Sequence, residues 1–186
     1  TFFSSLEYWT AVEIIKTNFA NFVVMDVNLN KLKYTSKGKQ KLSYNSNTPR
    51  KDNLTFKNPS YLKECIEKGT NKIMASYEQN YKYDILIPPI WEHQYKKNDF
   101  QEDHIHYTDH FSFVIYIKGV SGTVFKNPCG YHLQSMYPKF DNYLVGYEFA
   151  PKLKKGQMIF FPSYIPHYVV KSSNKKTIVG DIQIQR

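Results

Sequence analysis

Cysteine is scarce. Two residues, Cys65 and Cys129, cannot build a disulfide framework, and there is no C-x-x-C pair to hold zinc or run thiol exchange. That usage fits a reducing, cytoplasmic setting. Long hydrophobic runs are missing too. No apolar stretch approaches the ~20 residues of a membrane span. No signal-peptide pattern is recognisable, although Thr1 in place of an initiator Met leaves a trimmed leader open. No repeat occurs at solenoid or propeller periods. Acidic residues are outnumbered, 16 against 25 Lys and Arg, for a net charge of +9. A basic balance suits a polyanion, yet the lysines are scattered. Only Lys96-Lys97, residues 152–155 and Lys175-Lys176 cluster. No stacking platform or base-reading motif accompanies them, so nucleic acid is a secondary expectation as partner.

What the chain does have is aromatic and apolar material, 17% and 41% of its 186 residues. That is enough for one packed core, and the length suits a single domain over 1–186. The aromatics are mostly Tyr and Phe, which suit strands. Residues 1–80 are mixed. Tyr8, Val12, Ile15 and Phe19 predict a helix over 6–19, and 22–27 a short strand. The polar stretch 28–58 predicts loops or weak edge strands. A second helix is predicted from an N-cap at Ser60 to about Tyr77, interrupted near Gly69-Thr70. From 81 to 186 short alternating runs recur at 85–87, 91–95, 111–117, 123–125, 158–161, 168–170 and 177–184. Turn residues such as Pro88-Pro89, Gly119, Asn127-Pro128 and Gly156 separate them. Many short strands between turn signals predict a sandwich or barrel, with the N-terminal helices packed on one face.

Three of the six histidines have a spacing with chemical meaning. His104 and His106 stand two apart, so on a strand both rings point to one face. His167 follows a turn, a buried strand and a stop, from Gly156 to Pro162, which brings it to a barrel mouth beside them. Two imidazoles from one strand and one from another make a facial metal site with open positions. His93, His110 and His132 read as ordinary residues. Asp103 has the wrong parity to face the metal. Asp109 reaches it only through a loop, which leaves open whether His106 or a carboxylate completes the triad.

With these residues in place, 91–184 resembles the Fe(II)- and 2-oxoglutarate-dependent oxygenases. It is closest to their prolyl-hydroxylase-like branch and to the small oxygenases of marine bacteria and their phages. Trp91 and the turn Lys97-Asn98-Asp99-Phe100 precede the His pair as a Trp and a polar turn do there. Residues 112–117 resemble the family strand carrying a Tyr, 121–128 its Gly-Gly-x-Leu-x-x-Phe-Pro stretch, and 154–169 the segment with the distal His. Lys176, nine residues after His167, falls where the family has Arg-x-x-Ile. The resemblance implies a double-stranded β-helix, a jelly-roll barrel of the cupin type. It implies Fe(II) on His104, His106 and His167, with 2-oxoglutarate held by Lys176 and Tyr116; Lys175, of opposite parity, is the second choice. It further implies oxidative decarboxylation of 2-oxoglutarate by O2, coupled to hydroxylation of a protein or peptide side chain. The setting is a cytoplasm, that of a phage-infected host included. One departure stands out: the family's usual Asp is His106 here, so all three ligands are neutral. The alternatives are a cupin that binds metal without 2-oxoglutarate, whether a three-His dioxygenase, an isomerase or a ligand binder, and a non-enzymatic module.

Overall fold

The computed structural model describes residues 12–36, 41–42, 49–79, 81–130, 147–172 and 174–186. Two antiparallel sheets face each other. The larger has the order β1 (Val12–Lys16), β2 (Asn21–Asp26), β13 (Gln157–Pro162), β10 (Phe111–Lys118), β15 (Lys175–Gln185), β8 (Trp91–Tyr95), β5 (Pro49–Lys51), β4 (Lys41–Leu42). β7 (Asp84–Leu86) pairs with the far end of β15. The smaller sheet runs β12 (Glu148–Phe149), β11 (Thr123–Lys126), β14 (His167–Ser172), β9 (Asp99–His104). A short ribbon, β3 (Tyr34–Ser36) with β6 (Leu54–Phe56), lies apart. This is a jelly-roll barrel, as the sequence implies.

The central strands of the large sheet are buried on both faces, so they read as nearly continuous apolar runs. In β10, Phe113 and Ile115 join an outer core with Val23, Met25, Met158, Phe160 and Ile178. Their neighbours Val114 and Tyr116 join an inner core with Phe22, Val24, Ile159, Phe161 and Phe125, sandwiched between the sheets. One sheet therefore serves two cores, sorted by residue parity.

The outer core is closed by α1 (Pro59–Ser76), which buries Leu62, Cys65, Ile66, Ile73 and Met74. Its N-cap is Asn58, whose side-chain oxygen accepts from the Tyr61 N–H at 3.1 Å, and not the expected Ser60. Pro59 in the first turn makes Asn58 the natural start. The helix also runs through Gly69-Thr70 without a break. Gly69 sits there because a Cβ would lie 2.1 Å from the Phe160 ring.

The expected helix over 6–19 is corrected where it is described. Residues 12–16 are strand β1, paired with β2, as the β-branched run Val12, Ile14, Ile15 favours; residues 6–11 lie outside the described set. One helix, not several, packs on the barrel among the described residues. The large sheet also takes in strands from the first eighty residues, which the sequence reading kept outside the barrel. No helix among the described residues is long and apolar enough to cross a membrane.

Candidate metal centre

β9 and β14 are partners in the small sheet, with His104 directly opposite His167. Cross-strand partners point to the same face, and here their rings lie 4.2 Å apart. β9 ends at His104. Two residues on, the His106 N–H donates to the Ser163 carbonyl at 3.0 Å, which keeps the segment beside the barrel rim. The His106 ring is 5.5 Å from that of His104 and 5.3 Å from that of His167. One ring nitrogen of each residue lies within 4.8 Å of the others.

The outward nitrogens explain why the rings point this way. Nδ1 of His104 contacts the Glu102 carbonyl at 2.7 Å, and Nδ1 of His167 the Ile165 carbonyl at 2.9 Å. Nδ1 of His106 contacts Oδ1 of Asp181 at 2.5 Å. Carbonyl and carboxylate oxygens accept, so each Nδ1 carries a proton and donates, and each Nε2 presents a lone pair. The Gln101 amide donates to one of these lone pairs, His104 Nε2, at 3.3 Å. Burial, helped by the neighbouring imidazoles, holds His167 well below the usual histidine range, and burial holds His104 down too. Three neutral imidazoles with inward lone pairs fit a divalent 3d metal.

Behind the triad lies a cavity of about 30 Å³, lined by Tyr95, Gln101, Thr123, Lys175 and Thr177 among others. In front, a cleft of about 290 Å³ opens between Arg50, Trp91, Tyr107 and Asp109. Trp91 stacks on His106 at 5.9 Å, and Arg50 stacks on Trp91 at 4.2 Å. A larger open groove of about 990 Å³ lies between α1 and β7, but no buried polar side chain points into it.

The basic residue needs a correction. Lys176 sits on the outer face of the sheet, 3.4 Å from the Glu92 carboxylate. Its neighbour Lys175 enters the cavity, 1% exposed, with its ammonium 4.2 Å from the centre of the Tyr95 ring. Parity decides this: Lys175, Thr177, Val179 and Asp181 share the inner face. Burial lowers the Lys175 pKa from 10.5 to about 7. Tyr116 is buried beside the cavity, and its hydroxyl is engaged with Thr123 Oγ1 at 3.0 Å.

Asp103 faces away as expected, paired with Lys126 at 2.7 Å. Asp109 lines the cleft but bonds Gln183 and Thr108; no carboxylate joins the cluster among the described residues. His110 accepts from the Ile184 N–H, away from the triad. His132 lies outside the described residues. His93 differs from its ordinary reading. It is buried in the cavity wall and accepts from the Trp91 indole N–H at 3.0 Å. The sequence reading also missed Asp181 and Gln101. An acid with inward parity in the apolar run 177–184 was the available signal for Asp181.

No protein-family model matches the sequence, and no curated protein matches it. Solved structures do resemble it. A Pseudomonas putida prolyl-4-hydroxylase is 12% identical, over 94% of this chain and 78% of that one, with a TM-score of 0.47. A viral collagen prolyl hydroxylase from Paramecium Bursaria Chlorella virus-1, in a 2OG complex, is 16% identical over 76% and 80%, with a TM-score of 0.46. HygX from Streptomyces hygroscopicus, with nickel, 2-oxoglutarate and hygromycin B bound, is 9% identical over 87% and 82%, with a TM-score of 0.47.

Proposed function

We propose that the chain is an Fe(II)- and 2-oxoglutarate-dependent dioxygenase that hydroxylates a side chain of a protein or peptide. One observation carries this reading: three inward imidazole nitrogens line the same narrow cavity as the buried ammonium of Lys175. A metal ion and a second cation repel each other in a low-dielectric site. An anion that ligates the metal at one end and meets the ammonium at the other removes that conflict. A dicarboxylate with a chelating end has this form.

When bound, Fe(II) and 2-oxoglutarate supply the oxidising chemistry, in which O2 is consumed and the keto acid is decarboxylated. The chain supplies the rest. His104, His106 and His167 hold the metal. Lys175 replaces Lys176 as the carboxylate partner, as a point charge where an Arg would grip with two bonds. Tyr116 acts one layer back, fixing the Thr123 hydroxyl at the cavity wall. Trp91, Tyr95, Phe125 and Phe161 exclude water. The open cleft in front, with Tyr107 88% exposed at its rim, suits a segment of a polymer better than an engulfed small molecule.

The size of the inner cavity supports a second reading. About 30 Å³ holds roughly one water, so a five-carbon diacid enters only if Lys175 and Gln101 swing aside. A three-His metal protein without cosubstrate needs no such movement.

Anaerobic titration with Fe(II) and 2-oxoglutarate separates the two readings. The first expects a metal-to-ligand charge-transfer band in wild type. The band is lost in His167→Ala, weakened about tenfold or more in apparent 2-oxoglutarate affinity in Lys175→Met, and unchanged in Lys176→Ala. Fe(II) uptake without a band leaves the second reading standing and removes the first.

A further inference from the structure

Asp181 lies outside the metal-ligating cluster, yet it makes the only contact from a carboxylate to a ligand's outer nitrogen. His104 and His167 donate from Nδ1 to the carbonyls of Glu102 and Ile165, neutral acceptors two residues away. His106 donates instead to a carboxylate 75 positions further along the chain. That carboxylate is held firmly. Its Oδ1 also accepts from Ser112 Oγ at 2.7 Å, and Ser112 Oγ lies 2.7 Å from Ser163 Oγ. With its proton committed to Asp181, Ser112 accepts from Ser163. Ser163 also takes the His106 main-chain N–H on its carbonyl. Strand β10, the loop after β13 and strand β15 therefore converge on one oxygen and one imidazole.

The charge balance is unusual. Asp181 is 7% exposed, and among the described residues neither Lys nor Arg forms an ion pair with it. A buried carboxylate without a counter-charge is strongly disfavoured. Its one titratable partner among the described residues is the His106 ring, whose other nitrogen points into the triad.

We propose that Asp181 is the positioning residue of this centre. Through His106 it returns, from outside the ligand set, the negative charge that a carboxylate ligand would have brought inside it. The inference rests on the metal reading above. A charge-assisted bond at Nδ1 makes Nε2 a better donor and fixes the ring's tautomer and plane. His106 in the place of the family's Asp is then no loss of charge but a displacement of it by one imidazole.

The test uses Co(II) alone as probe, with affinity by calorimetry and coordination by the visible d–d bands. Wild type is compared with Asp181→Asn, which keeps shape and an accepting oxygen but drops the charge. The expected result is a fall of about 10- to 100-fold in Co(II) affinity with altered bands and an unchanged fold by circular dichroism. The same substitution is then made in a His106→Asp background, where a carboxylate already ligates. There Asp181→Asn is expected to leave affinity unchanged or to raise it, because two carboxylates no longer share the site. A merely structural Asp181 would cost affinity in both backgrounds, and that outcome overturns the proposal, as does wild-type affinity in Asp181→Asn. Should Asp181→Asn not fold, Ser112→Ala loosens the same carboxylate and is expected to weaken Co(II) several-fold, in the His106 background alone; no effect there overturns the proposal. Wild type that takes up no Co(II) removes the metal reading itself, and this inference with it.

Discussion

A lysine buried against Tyr95 costs stability, because its charged form loses hydration and forms no ion pair with an acid among the described residues. Replacing it with Met, which keeps the stem and drops the charge, should raise the melting temperature of the metal-free protein at pH 7. In 2-oxoglutarate titrations the same variant should bind more weakly. A variant that melts lower than wild type would show that Lys175 is satisfied in the cavity and is not waiting for an anion. At this scale the three-His cluster was legible from the spacing of His104 and His106 and the stop before His167, although His106 lies past the end of β9 and is held by Ser163 and not by strand pairing. The choice between Lys175 and Lys176 was not. It depends on where β15 begins, and a difference of one residue reverses the face. Asp181 went unread because its partner lies 75 positions away.

At the scale of elements, α1 can lie close to the sheet only because Gly69 has no side chain. An alanine there gains helix propensity of about 1 kcal/mol, but its Cβ would meet the fully buried Phe160 ring at 2.1 Å. Overpacking of this kind costs about 1–3 kcal/mol, so Gly69→Ala should destabilise in chemical denaturation. Phe160→Leu in the same chain should recover part of the loss by making room. Asn58→Ala removes the helix cap and should cost about 1 kcal/mol, with no change in metal uptake. The helix was legible from its apolar spacing, but its cap and continuity were not. Ser60 is an equally good capping residue by type, and Gly69 looks like a break until Phe160 is seen behind it. β9, whose residues Asp99–His104 are mostly polar, gave no hydrophobic alternation to read.

For the whole molecule, acid and base act on different parts of the same cavity. Burial lowers the pKa of His104 and His167, so the unfolded chain takes up their protons first. The histidines' contribution to the stability of the metal-free protein should therefore be full above pH ~6.5 and fall as the pH drops toward the lowered folded values. Lys175, at about 7 when folded against 10.5 when exposed, adds a rise in stability between those two values. Melting curves from pH 5 to 10 should show both slopes, and Lys175→Met should remove the upper one. If the wild-type slope between pH 7 and 10 is flat, the ammonium is not desolvated in solution. The barrel in the second half was legible because its strands alternate and end at turn residues. The sheet's extension into β1 and β2 was not, since β2 pairs with β13 more than 130 residues away and local periodicity carries no record of a partner.

The division of one sheet between two cores has a genetic consequence. β15 is written in two interleaved texts: Lys175, Thr177, Val179 and Asp181 spell the inner face, while Lys176, Ile178, Gly180 and Ile182 spell the outer one. Substitutions edit one text at a time, so the outer face can drift while the inner one is kept. A single-codon deletion at the turn before Lys175 exchanges the two texts at once. It would send Lys176 into the cavity, turn the carboxylate into the outer apolar core, and leave the sheet's hydrogen bonds intact around a barrel that no longer has a centre.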